Sequence, residues 1–329
     1  MTSVHNGEKN CLLELFKFIF TIWLVAKNTF FSYEIFHFNL DYVAISFIFI
    51  LSGFYILENM SDTEKLPFFK GLGKLMIKAL KEFGVGFVLI VFTYIITLIA
   101  YDAKYVTTIV LYFPAMLLAF ALVYTIKRLS KSNKSFIITC IVLTVACFAI
   151  SALCYEYTNS IYYSNGLFDI LESSNSIGDT ILYESHSALR YVYIIFNSFA
   201  TVLLGVCLSK IKQMPSNLKP LTIALLIIVS IAIPAAMVFN FKYLIVLILL
   251  PLLIYLSSAL DPYSPVYEFL GSMCYHIIFS EIIFTTILWN MIFSYNHKTA
   301  GIIIFFLTPV LALLIKLFDH TIKYILDDK

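Results

Sequence analysis

Ten stretches of mostly apolar residues recur along this 329-residue chain. A bilayer's hydrocarbon core of about 30 Å, divided by a helical rise of about 1.5 Å per residue, asks for roughly 20 such residues in a row. The stretches cover residues 11–26, 42–57, 84–100, 106–126, 136–154, 191–208, 221–239, 243–260, 269–293 and 300–318. They are continuous rather than alternating at every second position, which excludes a transmembrane β-barrel. Composition points the same way: 61% of residues are hydrophobic and 13% charged, about half the charge of a soluble domain. Such a chain is a poor candidate for disorder or for a nucleic-acid partner. The expected architecture is all-α, a polytopic transmembrane helical bundle of about ten spans. It forms a single membrane-embedded domain over residues 1–329.

Charge placement sets the expected orientation. Lys65, Lys70, Lys74, Lys78 and Lys81 fall between the second and third stretches, Lys127, Arg128, Lys131 and Lys134 between the fourth and fifth, and Lys210, Lys212 and Lys219 between the sixth and seventh. The intervening loops carry Lys27, Lys104, Arg190, Lys242 and Lys298, one each. The positive-inside rule therefore puts both termini in the cytoplasm, and the low Trp content (2) beside 31 Phe suits a multi-pass protein of a bacterial plasma membrane. Glu14 and Lys17 lie inside the first stretch and no small-residue cleavage site follows closely, so that stretch is expected to be a retained span rather than a leader. Residues 66–83 alternate Lys with apolar positions at helical spacing and are expected to lie as an amphipathic helix on the inner leaflet. Residues 155–190 are polar and are expected to form a long outer loop without obvious regular structure, either a binding lid or simply disordered.

Soft and ionisable side chains narrow the chemistry. The six cysteines form no CxxC pair and no Cys/His cluster at metal spacing, so no metal site is expected. Cys140, Cys147 and Cys154 recur every seventh residue and are expected to line one packed stripe of the fifth span. There is no P-loop, dinucleotide fingerprint or GxSxG elbow. Ionisable groups at membrane depth are costly and each is a functional hypothesis. Glu14 and Lys17 are three apart and share a helix face, with Asn28 about three turns further along roughly that face. Ser46 and Ser52-Gly53 interrupt the second stretch, where small residues permit close helix approach. His276 and Glu281 fall in the ninth stretch, five apart and so not facing one another directly. The bland alternatives are an interfacial or local ion pair for Lys17, an exposed interfacial ring for His37, and a structural hydrogen bond for Glu281.

In order along the chain, several segments are similar to motifs of the acyltransferase-3 family, multispan enzymes that O-acylate glycans and other acceptors. The second stretch ends Phe47-Ile-Phe-Ile-Leu-Ser52-Gly53-Phe54, close to the family's F-F-F-V-L-S-G-F. Glu14-Leu-Phe-Lys17, Phe68-Phe69-Lys70, Leu111-Tyr-Phe-Pro-Ala and Phe199-Ala-Thr-Val-Leu-Leu-Gly205 resemble others, the last loosely. Leu270-Gly-Ser-Met-Cys-Tyr275-His resembles the late L-G-x-x-S-Y motif. The chain departs from the family where its chemistry sits. Lys17 stands in place of the first-helix Arg, and Asn28, 11 residues later, in place of the catalytic His. Ser46 replaces an acidic residue and Glu281 replaces the late His. A Lys keeps the charge of an Arg but loses its bidentate fork, and an Asn cannot accept a proton near neutral pH.

What the resemblance implies is an acyltransferase that passes an acetyl or other acyl group from acyl-CoA to a hydroxyl of a cell-surface or envelope glycan, in contact with the lipid bilayer and with no bound cofactor. Asn28, Glu281 and His37 are then the candidate catalytic residues, with His37 or a desolvated Glu281 replacing the missing base. Lys17, Ser52 and Lys74 are the candidate substrate-binding residues, the two lysines suiting the CoA phosphates. A catalytically inactive relative that binds or moves a glycan, lipid or acyl group is the second reading, and an unrelated transporter the third.

Overall fold

The computed structural model describes residues 10–30, 40–63, 65–101, 109–164, 177–211, 218–239, 241–260, 264–292 and 297–327. All regular structure among them is helical: α1 (Cys11–Phe30), α2 (Leu40–Met60), α3 (Phe68–Tyr101), α4 (Ile109–Leu129), α5 (Asn133–Ser164), α6 (Ile177–Leu208), α7 (Lys219–Val238), α8 (Lys242–Ser258), α9 (Pro265–Ser272), α10 (Cys274–Ile292) and α11 (His297–Asp327). Among the described residues, segments of α2, α4, α5, α6, α7 and α11 are long and apolar enough to cross a membrane.

The surface is that of a membrane protein. On α5 the small and polar Cys140, Thr144, Cys147 and Ser151 are buried, whereas Ile138, Ile141, Val142 and Val145 are exposed. On α7 the exposed set is Leu221, Ile223, Ile227, Ile228 and Ile231. A water-soluble helix does the reverse, because apolar burial is what water drives. Patches of this kind need lipid around them. The expected cysteine stripe on α5 is present, with Cys140 and Cys147 buried and Cys154 half-buried.

Two sequence expectations change. Residues 155–190 are not a long irregular loop: α5 continues to Ser164 and α6 begins at Ile177. Polarity marked where lipid ends, but Glu, Tyr and Ser remain compatible with helix once the turn before them is formed. The stretch 269–293 is not one span either. It breaks at Met273, where α9 stops and α10 starts, and the Met273 amide bonds Leu270 O at 3.1 Å while its carbonyl accepts from Ile277 at 2.9 Å. Within α8 a π-helical turn covers Ile245–Leu249, and Pro251 stands two residues beyond it. Pro251 has no N–H to give, and the wider turn accommodates the carbonyl it would otherwise clash with.

Two glycine features position the rest. Gly53 of α2 and Gly205 of α6 meet so closely that an added Cβ would fall onto Val202 O in one case and Ile50 O in the other. Together with the stacking of Tyr42 on Tyr193 at 6.4 Å, the pairing shows that α2 and α6 run in the same direction. The second feature is Gly84, whose φ of 62° and ψ of −159° break α3 at the boundary between its Lys-rich and apolar halves. That combination is essentially glycine-only. An ideal Cβ there would also sit 2.8 Å from Asp319 Oδ2. Gly84→Ala is expected to cost about 1–3 kcal/mol, read as a fall in the thermal midpoint of the detergent-solubilised protein. Gly73→Ala, in the same helix with open space around it, should be neutral or stabilising.

Candidate polar site beside the first helix

The site grows from the start of α1. Asn10 caps the helix by accepting the Leu13 amide at 3.1 Å on Oδ1, which satisfies one of the donors every helix N-terminus leaves open. Its Nδ2 donates to Leu260 O at 2.8 Å and Ser257 O at 3.3 Å, and its own amide donates to the Tyr55 hydroxyl at 3.2 Å. One cap thus ties α1 to the end of α8 and to α2. A turn later comes Glu14, 2% exposed, against which α9 presses with Gly271, where any Cβ would strike the carboxylate.

Lys17, 7% exposed, places its ammonium 3.5 Å from Glu14 Oε2. The same ammonium lies 4.9 Å from the centroid of the Tyr275 ring. Two charges this deep persist only because they face each other and a ring quadrupole. A Lys ammonium has three donors and the carboxylate engages one side of it. The Tyr275 hydroxyl is 3.4 Å from Ser52 Oγ. Ser52 donates its own proton to Ile48 O at 2.8 Å, so the Tyr275 hydroxyl is the donor between the two. The result is a chain from Glu14 through Lys17 and Tyr275 to Ser52, joining α1, α10 and α2. Aromatic rings wall it: Phe83 packs edge-on against Tyr275 at 5.2 Å and Phe113 against Phe279 at 4.8 Å.

A second polar group lies next along α10. His276 directs Nδ1 at Ser272 O, 3.3 Å away, and Nε2 at Asp319 Oδ2, 4.0 Å away. Lys316 donates to Ser272 Oγ and sits 4.1 Å above the Phe269 ring. Asp319 in turn abuts the Gly84 break in α3. The α9–α10 junction is therefore clasped to α11 and to the bend of α3.

No family model, curated protein or solved structure matches this chain.

Of the residues the sequence singled out, Lys17 and Ser52 are brought together through Tyr275. Glu281 is buried on α10 at 2% exposure. It stands six residues past Tyr275, about 9 Å along the axis and on a different face. Lys74 is exposed on the Lys-rich half of α3. Asn28 belongs to the last turn of α1, but its side chain lies outside the described residues, as does His37 entirely. Ser46 is fully buried one turn past Tyr42, and Asn197 one turn past its stacking partner Tyr193. Neither Ser46 Oγ nor the Asn197 amide has a hydrogen-bond partner among the described residues. Asp319 stands one residue past the tenth apolar stretch, so hydropathy does not single it out. Its spacing of three from Lys316 was the available signal.

Proposed function

We propose that the chain is an integral membrane acyltransferase of the acyltransferase-3 type, carrying an acetyl or other acyl group from acyl-CoA to a hydroxyl of a cell-surface or envelope glycan. One observation carries the reading. The three segments most similar to that family's motifs, around Lys17, Ser52-Gly53-Phe54 and Leu270–Tyr275, are far apart in the chain yet converge on one buried polar chain. Chance likeness in apolar helices gives no reason for such convergence. In this reading the protein has about ten spans, sits in the plasma membrane and keeps both termini in the cytoplasm, as the Lys and Arg distribution argues.

The chemistry follows from what the residues can offer. The acceptor hydroxyl loses its proton as its oxygen attacks the thioester carbonyl, and the CoA thiolate leaves. Lys17 supplies fixed positive charge near that carbonyl or the donor's phosphates. Asn28 orients the hydroxyl, and His37 or Glu281 receives the proton. A second reading, a silent relative that binds or moves a glycan, lipid or acyl group, is favoured by the aromatic walls packed against Tyr275.

Purified full-length protein with labelled acetyl-CoA is expected to transfer or slowly hydrolyse the acyl group. Asn28→His is expected to raise the rate by about 10²–10⁴-fold, the range a positioned base supplies. Absence of turnover in both proteins, together with no CoA binding by calorimetry, overturns the enzyme in favour of the silent relative.

A further inference from the structure

The first half of α3 divides its circumference into three faces. Gly71, Leu75, Ala79 and Phe83 are buried, and at about 100° per residue they span an arc of about 120°. Phe69, Ile77 and Leu80 are exposed at 84%, 58% and 38% and cover the next arc, about 80° wide. Lys70, Lys74, Lys78 and Lys81 are all exposed and crowd into about 80° on the remaining side. None of the four has an ion-pair partner among the described residues. A helix with a protein side, a hydrocarbon side and a cationic side has the geometry of one lying at the membrane surface.

The composition switches at the Gly84 bend. Beyond it, through Tyr101, α3 carries no charged residue and exposes Val88, Val91, Phe92 and Ile95. The bend therefore turns the chain from an interfacial course to a spanning one. The cationic side also continues onto α4. Gly71 rests on the Tyr124 hydroxyl, and the guanidinium of Arg128, one turn on, lies 6.0 Å from the centroid of the Tyr124 ring.

We infer that this face is a binding surface for the headgroups of anionic phospholipids, with Lys70, Lys74, Lys78 and Lys81 as phosphate contacts. Charge complementarity selects the occupant: four cations without an ion-pair partner among the described residues lie beside an exposed apolar strip, and a phospholipid of the bilayer presents a phosphate joined to acyl chains at that same surface. The surface is independent of the acyl-transfer reading and assigns Lys74 to lipid rather than to CoA.

The test uses full-length protein reconstituted in phosphatidylcholine vesicles containing trace spin-labelled phosphatidylglycerol or spin-labelled phosphatidylcholine. The motionally restricted fraction reports headgroup preference. Wild type is expected to favour phosphatidylglycerol several-fold, with the preference declining as salt rises. The variant Lys70→Gln/Lys74→Gln/Lys78→Gln/Lys81→Gln is expected to lose that several-fold preference and fall to parity. Arg at the same four positions should keep the preference, as should Lys210→Gln/Lys219→Gln, which removes basic charge elsewhere. Parity in the wild type, or a preference unchanged by the four Gln substitutions, overturns the proposal. So does displacement of the labelled phosphatidylglycerol by millimolar CoA, which would make the nucleotide's phosphates the occupant.

Discussion

Lys17→Met is expected to destabilise the protein by about 3–5 kcal/mol, because it leaves Glu14 buried and uncompensated. Glu14 is 2% exposed and hemmed in by Gly271, so neither water nor a rearranged neighbour can readily replace the ammonium. Glu14→Gln should fall in the same range by stranding the ammonium. The double variant Glu14→Gln/Lys17→Met should recover most of the loss, since no unpaired charge is left. Unfolding in detergent, followed by denaturant titration, measures all three. Activity separates structure from chemistry. If the ammonium acts on substrate, the double variant regains stability and stays inactive in acyl transfer. Equal recovery of both would reduce Lys17 to a structural role.

The second large effect lies at the α2–α6 crossing. Gly205→Leu places carbon atoms where the Ile50 carbonyl stands, and Gly53→Leu does the same at Val202. In each case the obstacle is backbone, which cannot rotate away as a side chain can. The helices must separate along a line that includes Tyr42, Tyr193 and the fully buried Ser46 and Ser198. The expected cost is about 3 kcal/mol, the upper part of the usual range for overpacking. It should appear as a large fall in folded yield and in the thermal midpoint. Gly73→Leu, where nothing lies within 4 Å of an added Cβ, should leave both nearly unchanged. Similar losses at all three positions would mean that the close approach at the crossing does not set the penalty, since Gly→Leu by itself favours helix.

Much of the helical course was legible in the chain, because lipid imposes a length on every apolar run. The boundary between residues 66–83 and 84–100 fell at the residue where α3 bends, since the switch from Lys-bearing to uncharged sequence marks the change of environment. The ends of α5 and α6 were not legible. Hydropathy records solvent, whereas a helix ends where its hydrogen bonds do. The division of 269–293 at Met273 was equally hidden, as no Pro or run of polar residues announces it. At the site, the i, i+3 spacing foretold the Glu14–Lys17 pair, and the S-G-F motif pointed to Ser52. Their meeting at Tyr275 was not foretold by either, because contacts between α1, α2 and α10 depend on helix packing rather than local spacing. The role of Asp319 needed the left-handed turn at Gly84 to be seen, and one sequence carries no sign of a backbone angle formed against a side chain 235 positions later.

That separation has a consequence for biogenesis. The joint in α3 can close against Asp319 only after the ribosome has made the 235 residues that lead from Gly84 to it, on the order of 10–50 seconds later at ordinary synthesis rates. Until then the lysine-bearing half of α3 must wait with its elbow unset, and the arrival of α11 becomes the event that latches it.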